Sequence, residues 1–569
     1  MDTPLVPVKS RSIRLSYPCA MLATALIVGG APPASSGLTG CAAPPPRTAV
    51  AELNLTPSAS ASSASASAAA SSAAPLAPAP PAAPLPPTSV GTEPARPPPA
   101  NELPAPPATP PHVWKGGDFQ RALTQLGRWA KNSGGSLAAE LDDVASGAVL
   151  GSHAATSPEN PASNQKILTT AAVLAQFGAD FRFRTWLCGN RNGASLPRLV
   201  LRGSGDPSLS SNDLQALAKA LAKTGIRQVG DVLVDQSFFD GAFVPPAFEQ
   251  QPDEWAAFRA PVSAVSLNRN VTTLNVKPAE AGQPANVWFD PPGFVDVMGS
   301  VRTDAKERTQ NVKLTLKEAG TRLSALVAGT IPPSSPPFHW SRRVEDPTLL
   351  AGYALSAALT AEGIQISGRL SAGGEDERTE LFFHDSKPLG ELLPELGKDS
   401  DNFYAETLLK DLGAKVKGAP ATSANGAAAV LEYLRGIEAL DPGTRILNGS
   451  GLFDANRVTA HTLVSTLRSA YRDPRLGRVF VDQLAVGGVD GTLKHRFAAF
   501  KKTRSIRAKT GTLDQVIALS GYVFRPDGSS PVAFALIVSG ISKHADVRKR
   551  IDELVSSVAR ELARDASPG

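Results

Sequence analysis

Apolar positions recur at helical spacing from Phe119 to Lys131, and the pattern predicts folded structure from about Trp114 onward. Ser136–Leu141 and Ala148–Leu150 flank a turn at Ser146-Gly147 and read as paired strands. Residues 160–177 read as a buried helix, with Asn160 as its cap, Pro161 in its first turn and an Ala/Leu/Val run behind them. Between 185 and 380 the pattern shifts to short β-like runs, among them Arg198–Leu201, Asp231–Asp235, Thr273–Val276, Val312–Leu316 and Leu323–Val327. Helices at 212–223 and 347–362 interrupt them. Beyond Leu381 helices return at 387–396, 402–412, 426–440 and 459–471. Strands are predicted at 505–512, 516–524 and 532–538, the last two joined through Asp527-Gly528. A final helix at 545–563 carries the stripe Val547, Ile551, Leu554, Val555, Val558 and Leu562. The elements predict an α+β fold in which helices layer on a sheet. That domain is split in sequence into 113–184 and 381–569, with 185–380 as one or two inserted β-rich domains. A single larger continuous domain is the alternative.

A chain of 569 residues is too long for one core, which also argues for more than one domain. The N-terminal region has a different character. Lys9, Arg11 and Arg14 precede the short apolar run Ala20–Val28, the pattern of a secretory signal rather than a membrane span. Leu38-Thr39-Gly40-Cys41 resembles a bacterial lipobox, in which Cys41 would be lipidated and tie the protein to a membrane, so 1–41 reads as a targeting segment. Cleavage near Ala31 or Ala34, leaving a soluble exported protein, is the other reading. Residues 42–112 are nearly all Ala, Pro and Ser, a composition suited to a semi-rigid disordered spacer.

The net charge of +5 is mild, and no basic stripe is interleaved with aromatics, so nucleic-acid binding is not expected. Cys19 and Cys41 lie in the targeting segment, leaving Cys188 alone in the folded part, unable to form an internal disulfide or a zinc site. The seven histidines form no close ligand pair, and no metal or organic cofactor is expected.

Candidate chemistry begins with Ser163 and Lys166. Three positions apart near a helix start, they share one face, and a desolvated lysine can take the proton that a serine must lose to become a nucleophile. This is the one Ser-x-x-Lys in the chain; a surface serine and lysine on an ordinary helix would be the plain alternative. Ser400-Asp401-Asn402 is a Ser-x-Asn element and Lys509-Thr510-Gly511 a Lys-Thr-Gly. The three occur together in penicillin-interacting serine enzymes. Each of the latter two is weak alone, since Ser-x-Asn recurs at Ser210, Ser266 and Ser423 and Lys-Thr-Gly at Lys223. The copy at 223 closes an amphipathic helix and precedes Ser400, whereas the copy at 509 lies on a predicted strand.

With these motifs the chain resembles the class C low-molecular-mass penicillin-binding proteins, the type-4 D-alanyl-D-alanine carboxypeptidase/endopeptidase family. Matching stretches are Pro161–Lys166, Gly203–Leu209, Ser400–Leu408, Asn448–Leu452, Gly487–Leu493 and Arg507–Leu513. The resemblance implies a penicilloyl-serine transferase fold with two inserted β-rich domains. It implies action on peptidoglycan stem peptides and reaction with β-lactam antibiotics in the cell envelope or periplasm.

The resemblance also implies roles. Ser163 attacks the carbonyl of the penultimate D-Ala, Lys166 is its base, Ser400 relays a proton to the leaving amine and Asn402 holds the substrate amide. Lys509 faces the substrate carboxylate and helps keep Lys166 neutral; Thr510, Gly511 and Thr512 bind the substrate, and the N–H groups of Ser163 and Thr512 form the oxyanion hole. Asp253 and Phe258 match positions lining a side-chain pocket in some members, a surface acid and a core aromatic being the other reading. Two departures stand out. Asn448 replaces a common Asp, and Asp454 stands where an arginine can meet a diaminopimelate carboxylate. The rival readings are a β-lactamase and an envelope-anchored binding protein with a degenerate site.

Overall fold

The computed structural model describes residues 53–55, 117–252 and 254–565. The targeting segment with Cys19 and Cys41, most of the Ala/Pro/Ser stretch, and Asp253 lie outside the described residues.

The sheet that carries the third motif has six strands among the described residues, in the order Ala485–Val486, Ile506–Leu513, Val516–Val523, Val532–Ser539, Ser136–Asp143, Val149–His153. Every neighbouring pair is antiparallel. The pairing of Ser136–Asp143 with Val532–Ser539 joins the two ends of the folded chain, from Ser136↔Ser539 to Asp143↔Val532. Covalent separation is therefore no obstacle to one sheet.

Both faces are covered, which explains why the strands read as nearly continuous apolar runs. Side-chain alternation sorts the residues by size. Val532, Phe534, Leu536 and Val538 enter one core with Leu123 of the helix Gly117–Asn132 and with Val547, Ile551 and Leu562 of the helix His544–Asp565. Ala533, Ala535 and Ile537 face a second core, built with the helices Gln165–Phe177, Asn402–Lys417 and Ala460–Arg472. Small residues on that face let the helices lie close to the sheet.

Among the described residues, 184–385 contribute to three further sheets and contain two α-helices. A six-stranded sheet is formed by Gln365–Ile366, Gln228–Asp235, Ser195–Gly203, Arg184–Cys188 and Glu380–Asp385, with Leu370–Ala372 beside Gln228–Asp235. Arg184–Cys188 pairs antiparallel with Glu380–Asp385, so the region begins and ends on adjacent strands. The helices Ser211–Lys223 and Leu350–Ala361 cover it, with Leu214, Leu217, Leu221, Leu355 and Leu359 in one core with Leu199, Val232 and Val234. Phe338–Arg343, Val271–Lys277 and Asn286–Asp290 form an antiparallel sheet. Asn311–Ala319 and Arg322–Ile331 form the hairpin at the centre of the last sheet. Leu53–Leu55, within the stretch read as a spacer, pairs antiparallel with Asn311–Ala319. No helix among the described residues is long and apolar enough to cross a membrane.

Candidate active site

The first motif does not start as a plain α-helix. Ala162–Asn164 is a single 3-10 turn, and the α-helix follows at Gln165–Phe177. Asn160 does not cap that helix. Its Oδ1 accepts from the Ala162 N–H (3.0 Å), and its Nδ2 donates to the Phe453 carbonyl (3.0 Å). The turn leaves Ser163 half-buried while Lys166, one turn on, is wholly enclosed.

Lys166 Nζ lies 3.1 Å from Ser163 Oγ, 2.7 Å from Asn402 Oδ1 and 2.9 Å from the Ser450 carbonyl. Two of these partners are pure acceptors and the third is a hydroxyl. A neutral amine fits the set, donating to the two carbonyl oxygens and accepting the Ser163 proton on its lone pair. Burial drives the Lys166 ammonium down to about 7, with Glu406 and Asp401 pulling the other way.

Ser400 and Asn402 are placed by the start of the helix Asn402–Lys417. Asp401 caps it, its side chain accepting from the Tyr404 N–H at 3.0 Å, and its other oxygen meets Arg269 at 2.8 Å. Ser400 sits at φ +62°, a conformation that costs a non-glycine residue about 1–2 kcal/mol. The strained turn sends its hydroxyl to Lys509 Nζ at 2.8 Å. Lys509 also donates to the Thr510 carbonyl at 2.8 Å and is buried. Burial, then Lys166, pushes Lys509 well below the ordinary lysine value. Enclosure by the fold is the main cause of the lowering at Lys166, and repulsion between the two enclosed lysines works in the same direction.

Gly511 explains why the third motif needs a residue without a side chain. A Cβ there would lie 3.0 Å from both Ala162 Cβ and the Pro161 carbonyl, so the strand rests against the turn that carries Ser163. The flanking hydroxyls differ in setting. Thr510 Oγ1 donates to Thr492 Oγ1 at 3.0 Å, and Thr512 Oγ1 lies 3.5 Å from an Arg548 nitrogen on the C-terminal helix. Ser163, Lys166, Ser400, Asn402, Lys509, Thr510, Gly511 and Thr512 therefore meet in one place.

The pocket residues fare differently. Phe258 reaches the site through its backbone, its carbonyl accepting from Asn402 Nδ2 at 3.1 Å, while its ring is 46% exposed rather than part of a core. Asn402 is thus engaged at both ends, by Lys166 and by Phe258. Asp454 is tied to Arg457 (2.6 Å) and to Asn160 Nδ2 (3.3 Å), so its charge is met within the protein. Asn448 is fully buried; it donates to the Pro246 and Leu452 carbonyls and accepts from the Gly451 N–H. Its amide suits that role because it both donates and accepts, which a carboxylate cannot.

Sequence reasoning passed over Glu406. It lies one turn beyond Asn402 on the same helix and is buried. Its two oxygens accept from the Gly449 N–H (2.9 Å) and the Ser450 N–H (2.8 Å), which positions the Ser450 carbonyl against Lys166. Burial raises this carboxyl, while the two amides and Lys166 oppose the rise. The available signal was an acid one turn from the motif in an otherwise apolar stretch. Cys188 is a buried free thiol, and no group of three or more His, Cys, Asp or Glu side chains among the described residues is arranged to hold a metal.

The family described as D-Ala-D-Ala carboxypeptidase 3 (S13) matches residues 122–561. A D-alanyl-D-alanine carboxypeptidase of Actinomadura sp. (strain R39) is 34% identical over 454 residues, covering 75% of this chain and 82% of that protein. The D-alanyl-D-alanine carboxypeptidase DacB of Haemophilus influenzae is 28% identical over 395 residues, 67% of this chain and 80% of the relative. The crystal structure of penicillin binding protein 4 (dacB) from Haemophilus influenzae has the same fold, with a TM-score of 0.63 at 23% identity over 79% of this chain and 100% of its own. The chain belongs to the D-Ala-D-Ala carboxypeptidase 3 (S13) family of serine peptidases, on an α+β fold.

Proposed function

We propose that this enzyme, a serine-type D-Ala-D-Ala carboxypeptidase, DD-endopeptidase or both that binds penicillin, works through an acyl-enzyme on Ser163. The observation that carries the reading is the seat of Lys166. A buried amine with a value of about 7 lies 3.1 Å from Ser163 Oγ and is held there by Asn402 and the Ser450 carbonyl. Ser163 Oγ attacks the carbonyl carbon of the penultimate D-Ala, and its proton passes to Lys166 Nζ. The N–H groups of Ser163 and Thr512 receive the developing oxyanion; one such donor is typically worth about a hundredfold or more. Ser400, hydrogen-bonded to Lys509, relays a proton to the departing amine and is reprotonated with the one that Lys166 took from Ser163, so that the amine leaves as D-Ala or as the amino end of a cross-link and Lys166 is neutral again. Water then attacks the ester and frees Ser163.

The substrate carboxylate is received by the Thr510 and Thr512 hydroxyls and by Lys509, whose protonated form an arriving anion favours. Arg548 beside Thr512 adds a second cation. Phe258 and the Asp454–Arg457 pair border the side-chain pocket in this reading, the two charges of the pair offsetting each other, while Asp253, assigned to the same pocket from the sequence, lies outside the described residues. Export follows from the Lys9–Arg14 and Ala20–Val28 pattern, with Cys41 as the point of lipid attachment in the envelope. Palmitate labelling of the full chain in cells, lost in Cys41→Ser, tests that attachment.

The activity is tested by D-Ala release from a peptide ending in D-Ala-D-Ala, beside cleavage of a cross-linked muropeptide dimer. At least one of the two is expected from the wild type and neither from Ser163→Ala. Rapid penicillin turnover with no D-Ala release would identify a β-lactamase instead.

A further inference from the structure

The stretch Gly203–Leu209 lies outside the reaction just described, yet it meets the helix that carries Asn402. Leaving the strand Ser195–Gly203, the chain turns at Gly205, φ +81°, where a Cβ would run into Asp411 Oδ1 and the Phe239 ring. Asp411 belongs to Asn402–Lys417, two turns beyond Asn402. It is 2% exposed, and neither carboxyl oxygen meets a hydrogen-bond donor among the described residues. Asp206, the residue after Gly205, is also 2% exposed. Its Oδ1 accepts from the Ser208 N–H (2.8 Å) and hydroxyl (2.6 Å), while its Oδ2 is buried without a donor. Three enclosed acceptor oxygens therefore share one junction.

The cations nearby do not resolve this. Lys410 turns to Asp240 Oδ1 (2.5 Å) and the Ala242 carbonyl (2.8 Å). His384, on Glu380–Asp385, stands 4.0 Å from Asp206 Oδ2 and 3.7 Å from Asp213 Oδ1 on Ser211–Lys223, too far for a hydrogen bond to either. Two ionised carboxylates enclosed together repel, whereas one carboxylic acid supplies the missing donor.

We propose that Asp411 and Asp206 share one proton at neutral pH, and that this acid–carboxylate pair clamps Gly203–Leu209 onto the Asn402–Lys417 helix, making Asp411 a positioning residue for the active site. Burial and Asp206 both push the Asp411 carboxyl well up, in the direction the clamp requires. The same helix holds Asn402 on Lys166 and, through Glu406, the Gly449–Ser450 backbone, so a shift of its seat moves the base away from Ser163. The catalytic part of this inference rests on Ser163 being the nucleophile; the protonation part does not.

The test has two arms. In protein carrying 13C-labelled aspartate, the infrared band of a protonated carboxyl persists at pH 8 in the wild type and disappears in Asp411→Asn. At pH 8 Asp142, raised to about 6, is ionised and does not interfere. Absence of the band in the wild type overturns the clamp, and that reading needs no folded variant. Because the folded pair holds a proton that the unfolded chain releases above about pH 4, the stabilisation is complete below that pH and declines as pH rises. The wild-type unfolding constant thus grows by up to about tenfold per pH unit relative to Asp411→Asn; parallel pH profiles contradict the clamp. In the second arm, Asp411→Ala slows Ser163 acylation by penicillin about tenfold or more while Asp411→Asn restores most of the rate. Equal rates in all three remove the positioning role. If the wild type itself fails to label at Ser163, the functional reading falls while the infrared and unfolding measurements still decide the clamp.

Discussion

In the proposed mechanism Lys166 determines how the enzyme responds to pH, because its neutral form takes the proton of Ser163. With its value near 7, the rate of acylation by penicillin rises through about pH 7 and levels off above it. A rate independent of pH between 6 and 8 contradicts a lysine base. Glu406 sharpens the expectation. Its charge favours the protonated amine, so Glu406→Gln moves the rise to lower pH. The same change leaves the Gly449 or Ser450 N–H without its carboxylate partner and costs about 1–3 kcal/mol of stability, read from urea unfolding. Ser163, Lys166, Ser400, Asn402 and Lys509 were legible because their chemistry is written in short local spacings. Glu406 was not, since its role exists only once Gly449 and Ser450 fold back onto its helix. Asn448 and Asp454 looked like departures from a pattern for the same reason; their partners Pro246 and Asn160 are set by tertiary contacts.

At the scale of elements, the site depends on backbone approaching backbone. Gly511 brings Ile506–Leu513 against the Ala162–Asn164 turn, and Gly451, at φ +75°, leaves no room for a Cβ beside the Ala162 carbonyl. Gly451→Ala adds about 1–2 kcal/mol of backbone strain to that clash and displaces Ser163, slowing penicillin acylation by on the order of a hundredfold. An acylation rate within a factor of two of wild type contradicts this. The long helices and the three strands from Ile506 to Ser539 were readable from periodicity, because each buries an extended apolar face. Arg184–Cys188 and Glu380–Asp385 were not, being short strands that pair with each other across almost two hundred residues. The helix start at residue 160 shifted as well, because Asn160 spends its side chain on Ala162 and Phe453.

For the whole molecule, the decisive fact is that both chain ends build one sheet. Ser136–Asp143 pairs with Val532–Ser539, and the helices Gly117–Asn132 and His544–Asp565 share a core on its outer face. A chain ending at Ser542 loses Val547, Ile551, Val555 and Leu562 from that core and is expected neither to unfold cooperatively in urea nor to bind penicillin. Retained binding would show that the outer layer is dispensable. The return of helices after residue 381 was visible in the pattern, but the closing strand pair was not, since nothing local links residue 136 to residue 539.

The most direct measurement is mass spectrometry of the full-length protein after incubation with fluorescent penicillin, beside Ser163→Ala and Lys166→Met. A stable adduct on the peptide containing Ser163, absent from Ser163→Ala and formed at least about a hundredfold more slowly in Lys166→Met, is the expected result. A folded wild-type protein that carries no adduct, or carries it on another serine, would contradict Ser163 as the nucleophile on which the mechanism rests.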